Sequence, residues 1–208
     1  SERHSRAMMF DIITIFLVGI FLLFAVYTAI QFLGKFPQRT MDDVAPYLRP
    51  AESSELEALL DPGQEANFRM RMSPQEFAPW QRRRIHLLRE YLLRMSHNAL
   101  VLIEWGNLES LTESKDPELS KKKQELAQEL VQAATEFRLY SLMALVKLKF
   151  WLVLPFPFSS LFPSPSLPEM RHVFGIDALG SYRRLKTAAS GLSLAYNNHF
   201  HDELVELL

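Results

Sequence analysis

IITIFLVGIFLLFAVYTAIQFL, Ile12–Leu33, is a run of 22 residues without a charged side chain. At about 1.5 Å per residue a helix of this length reaches about 33 Å, enough to cross a hydrocarbon core of about 30 Å. Asp11 closes one edge, and Lys35 with Arg39 closes the other. Tyr27, Gln31 and Phe32 stand near the second edge, where a ring with a polar end is favoured. The pattern predicts a membrane anchor carried by Ile12, Phe16, Gly19, Phe24, Ala25, Ala29 and Leu33. A signal peptide would have a core of about 7–15 residues and a small-residue cleavage site. The segment Tyr27–Gly34 is a poor site of that kind, so the anchor is expected to stay uncleaved. Ala25 and Ala29 form a small-x-x-x-small pair that permits close helix contact. With no His, Glu, Lys or Arg, the run offers no metal ligand and no proton relay. No intrinsic cofactor is expected; lipid or pigment would touch this helix without being ligated by it.

The rest of the 208-residue chain carries the charge, so a net charge of −1 and a mean hydropathy of −0.03 are averages of unlike parts. The absence of Cys excludes a disulfide scaffold, thiolate metal sites and a cysteine nucleophile. Twenty-three Lys/Arg against 24 Asp/Glu exclude a globally basic nucleic-acid binder. Twelve Pro and only 7 Gly argue against glycine-rich phosphate loops.

Outward from the anchor unit (1–34), residues 35–74 read as a linker broken at Pro37, Pro46, Pro50, Pro62 and Gly63. It should hold one short helix, capped by Ser54 with Glu57 three residues on, and a turn at Asp61-Pro62-Gly63. Residues 75–208 read as a helical bundle. Ser73-Pro74-Gln75-Glu76 is a capping box with proline in the first turn. Pro79 should bend or restart the helix that follows. Leu88, Leu92, Met95, Ala99 and Leu102 form its apolar stripe, and Gly106-Asn107 suggests its end. Asp116-Pro117-Glu118 starts a second helix, striped by Leu126, Leu130, Ala133, Phe137, Tyr140, Ala144 and Leu148. A third should run from near Asp177 past Tyr182, Leu185, Ala189, Leu192 and Tyr196 to Phe200. The fold class is therefore all-α: one transmembrane helix plus an antiparallel bundle of about three long helices of up to about 38 residues. No convincing strand alternation is present.

In an up-down-up bundle the second helix ends where the first began, so the loop 150–168 should lie at the end nearest the linker. Phe150, Trp151, Phe156, Phe158 and Phe162 make it a candidate interfacial contact, since so aromatic a loop is seldom left in water. The alternative is that these rings cap the core. Segments at that end, 69–94 and 147–186, hold 13 Lys/Arg and 4 Asp/Glu; segments 95–135 and 187–208, at the other, hold 4 and 10. Arg82, Arg83, Arg84, Arg183 and Arg184 are the candidate basic membrane-facing patch. Basic residues facing the bilayer favour a cytoplasmic position for the bundle, although the short N-terminal tail favours the reverse.

Chemistry is sparse. His199-Phe200-His201-Asp202 has metal-binding residue types, but residues two apart on a helix point about 200° apart. Glu90, His97 and Glu104 lie seven apart along one helix side; the two carboxylates are about 21 Å distant, too far for one site. His97 reads better as a residue hydrogen-bonded within the bundle. The nucleotide, zinc-protease and serine-hydrolase motifs are all missing, so no catalytic, metal or cofactor residue is assigned. The expected function is a non-catalytic accessory subunit of a larger membrane complex of respiratory, photosynthetic or transport type. Its partners would be the lipid bilayer and integral membrane subunits, with no nucleic acid. The alternative is a single-pass anchored adaptor or signalling bundle that recruits a soluble partner.

Overall fold

The computed structural model describes residues 40–112, 117–153, 166–173, 175–196 and 198–208. Six α-helices account for most of them: α1 (Ser53–Leu59), α2 (Pro62–Arg71), α3 (Pro74–Leu111), α4 (Pro117–Val153), α5 (Ala178–Leu194) and α6 (Asn198–Leu207). A two-residue antiparallel ladder, β1 (His172–Val173) with β2 (Ile176–Asp177), precedes α5. Gly175, at φ +80°, makes its turn in a backbone region that a side chain would strain.

The α3 start follows the local signal. Ser73 Oγ accepts from the Glu76 amide, and the Glu76 carboxylate accepts from the Ser73 amide at 3.0 Å. The Ser73 hydroxyl, donating at 2.8 Å, and then the Ser73 amide hold the Glu76 carboxyl below the usual range. Pro79 lies within α3, and the helix continues through it without a restart. The stripes bury as expected: Leu88, Leu92, Met95, Ala99 and Leu102 of α3 meet Leu130, Phe137, Tyr140, Ala144 and Leu148 of α4, all fully buried. Antiparallel α5 completes the row, with the Tyr182 ring 5.0 Å from that of Phe137. Tyr140 donates to the Met170 carbonyl and Tyr182 to that of Leu208; burial raises the pKa of both phenols.

Three local expectations need correction. The third long helix is a hairpin: α5 ends at Leu194, and α6 folds back until His201 Nδ1 lies 2.9 Å from Ser193 Oγ. Asp61-Pro62 is not a free turn but the start of α2, with the Asp61 carboxylate accepting from Gly63 N at 2.8 Å. Gly106 does not end α3. A Cβ there would lie 2.8 Å from Val131 Cγ2 and 3.2 Å from the Ala127 carbonyl oxygen, so the glycine permits close approach of α3 and α4.

That geometry separates two helical glycines. Gly106→Ala should destabilise by about 1–3 kcal/mol through overpacking, more than the roughly 1 kcal/mol gained in helix propensity. Gly191, whose Cβ would meet only Leu126 Cδ2 at an ordinary 3.5 Å, should gain up to about 1 kcal/mol as alanine. Urea unfolding of both variants, followed by circular dichroism, should move the midpoints in opposite directions.

Within the expected linker, residues 44–60 also contribute to the core. Val44, Leu48, Ala51, Leu56 and Leu60 are at most 6% exposed and belong to the bundle core. Pro46 stands in the first turn of a short 3-10 helix and Pro62 opens α2, and the apolar residues around them pack into the core.

Candidate functional site

The anchor residues Ile12 to Leu33 lie outside the described residues, as do Phe156, Phe158 and Phe162. Among the described residues no helix is long and apolar enough to cross a membrane. Phe150 and Trp151 are not loop residues, because α4 continues to Val153. Trp151 is half-buried against the core, with Lys147 Nζ 5.0 Å from its ring centre. At the far side of the apolar stretch, Leu167 and Met170 are fully buried.

The basic patch divides. Successive helical residues point about 100° apart, so three consecutive arginines span about 200° of α3, and one of them turns inward. Arg82 and Arg83 are exposed, whereas Arg84 is 7% exposed and does not belong to a surface patch. Its guanidinium donates to the Leu59 carbonyl at 2.6 Å and to Glu65 Oε2 at 3.4 Å, and stacks over Trp80. Burial lowers the Arg84 pKa, and the Glu65 and Asp61 carboxylates oppose that shift. Arg183 and Arg184 are ion-paired with Glu57 and Glu136, tying α5 to α1 and α4.

Residues 40–73 do not lead straight to the start of α3. His97 Nε2 lies 3.0 Å from the Tyr47 carbonyl, and Asn98 exchanges two bonds with the Arg49 backbone, 2.8 and 2.7 Å. Those contacts fall about 35 Å along α3 from Pro74. From there the chain runs back along α3 to Leu59 beside Arg84. Chain order therefore does not place the basic end at a bilayer. Leu167 N donates to Glu65 and Tyr140 to the Met170 carbonyl, which seats residues 167–170 against α2 and α4.

The histidines do not converge. His199 is exposed, while His201 bonds Ser193. Among the described residues no group of three or more His, Cys, Asp or Glu side chains is placed to hold a metal ion.

Two surfaces stand out. The first is the second half of α4. Between Leu139 and Leu152 the only charges are Lys147 and Lys149, and the helix is apolar on its outer side as well as its core side. Leu139 and Val146 are 41% and 46% exposed, and Leu142 and Met143 are half-buried between them. The outer side of the first half carries Lys121, Glu125, Gln128 and Gln132 instead. The second surface is the α2–α3 corner, where the Phe68 ring packs on Trp80 and Met70, on another side of α2, is exposed. Reading one stripe per helix missed the outer α4 row; its signal was the loss of charge after Arg138.

Compared with known proteins, the chain matches no family model, no curated protein and no solved structure. Function must be argued from these surfaces.

Proposed function

We infer that the protein is a non-catalytic accessory subunit, held at a membrane by Ile12–Leu33, that braces an integral membrane partner through its helical domain. The outer row of α4 carries this reading. A helix that is apolar all round is normally covered on every side, whereas Leu139 and Val146 are exposed, with Leu142 and Met143 half-buried between them. A row of four apolar side chains without a charge among them suits the apolar flank of another helix better than a polar soluble surface. Trp151, half-buried against the protein's own core, is less available for such a contact. The 22-residue chargeless run supports the membrane assignment on composition.

Leu139→Ser with Val146→Ser tests the brace. Both side chains are exposed, so thermal stability should change by no more than about 0.5 kcal/mol per site. Extracted in mild detergent and run on a native gel, the parent should co-migrate with an integral membrane complex, and the double variant should run free. A parent that migrates alone, or a variant retained as well as the parent, would refute the reading.

A further inference from the structure

One side of α3 is bare along one stretch and covered along the next. Leu87, Arg94 and Val101 recur every seven residues and Trp105 follows four further on, so all four lie on the same side of the helix. Leu87 is 48% exposed and Arg94 is exposed, whereas Val101 and Trp105 are at most 1% exposed. The cover starts at His97 and Asn98, which bond the Tyr47 and Arg49 backbones. It continues with α6, whose Phe200 ring meets the Trp105 ring edge-on at 5.5 Å. A helix laid on another stands about 8–10 Å above it, so α6 makes a step beside the bare stretch. The two levels of the step differ in charge. The bare row is Arg83, Leu87, Glu90 and Arg94, all exposed, and Glu90 is the one carboxylate between positions 82 and 94, which hold five arginines. In contrast, α6 has no Lys or Arg. Asp202 is two residues beyond Phe200 and points about 200° away from it, and Glu206 lies one turn further along the same side. Because Phe200 faces α3, these two exposed carboxylates face outward, on the side of α3 that Leu87 and Arg94 share.

We propose that this side of α3 binds a second copy of the chain, turned antiparallel about a two-fold axis, so that the α6 of each copy lies on the other's bare stretch. The lengths agree: the 10 residues of α6 span about 15 Å, and Arg83 to Arg94 about 16 Å. Such a pairing closes on itself and uses each step once per copy. It sets Asp202 and Glu206 against Arg83 and Arg94, and the half-exposed Leu87 against Val205, which is 41% exposed. The contact uses neither the outer row of α4 nor a bilayer, so it stands apart from the brace.

Exchanging the charges tests the pairing. Native mass spectrometry of the purified full chain in mild detergent should show dimers at low salt that dissociate at high salt. Arg83→Glu with Arg94→Glu, and separately Asp202→Lys with Glu206→Lys, should each weaken the dimer at least about tenfold, because like charges then face each other twice. All four side chains are exposed, so circular dichroism should be unchanged. Mixing the two variants should restore a dimer, since the acidic α3 of one meets the basic α6 of the other, and the unaltered elements meet on the other side of the axis. Glu90→Gln should tighten the parent dimer by removing the carboxylate that faces Asp202 and Glu206. A parent that is monomeric at low salt overturns the proposal. Dimers that survive both charge reversals overturn it as well, because the contact then lies elsewhere, as an anchor-to-anchor pairing would. Variants that fail to pair when mixed, or a Glu90→Gln dimer weaker than the parent, refute the reciprocal arrangement.

Discussion

Glu65→Ala should cost about 3–5 kcal/mol, the range for removing one partner of a buried ion pair. Glu65 is 4% exposed and takes four donors: Gln81 Nε2 at 3.0 Å, Leu167 N at 3.0 Å, Arg84 Nη1 at 3.4 Å and Arg69 Nη2 at 3.3 Å. Alanine would leave the Arg84 guanidinium charged, buried and opposed only at longer range, and the Leu167 amide without its acceptor. The loss is a large fraction of the roughly 5–15 kcal/mol that holds a domain together. It should appear as a lowered urea midpoint. Glu65→Leu combined with Arg84→Met should recover most of it, because no charge is then left without a partner. Equal destabilisation by the single and double variants would show that the pair matters through packing rather than charge.

Asn98→Ala should be the next most damaging change, at about 1–3 kcal/mol, with an effect that is local first. Asn98 is fully buried and satisfies both the N–H and the C=O of Arg49, as a neighbouring strand would. Without it those two backbone groups lose their partners at the point where residues 44–60 are fastened to α3. Limited proteolysis should therefore cut between residues 40 and 60 faster in the variant, at a temperature where α3–α5 remain helical by circular dichroism. His97→Ala removes only the contact to the Tyr47 carbonyl at a half-buried site, and should cut more slowly than Asn98→Ala. If Asn98→Ala is cut no faster than the parent, this segment is held by its buried apolar residues rather than by the amide clasp.

The two sites show which kind of signal was legible. The Ser73–Glu76 cap and the stripes of α3 and α4 are readable because each depends on residues three or four apart. The same cap logic applied at Asp61-Pro62 would have found α2, but the nearby glycine made a turn the more obvious reading. Glycine also misled at Gly106, where the cause is Val131 on another helix. At the surfaces, a basic run was legible and its division was not: Arg84 turns inward because Leu59 and Glu65 lie there.

By itself, then, the sequence determined what is local and additive: an all-α class, the long helices and their core stripes, the grouping of basic and acidic segments, and a chargeless run of membrane-spanning length. The tertiary structure decided what depends on residues distant in the chain. It turned part of the supposed linker into core, folded the last helix back on itself, buried one arginine of three, and left Leu139 and Val146 of α4 exposed. The Glu65–Leu167 bond joins positions 102 residues apart. Helical periodicity says which side of a helix is apolar, but which part of that side is covered depends on neighbours that only the assembled chain supplies.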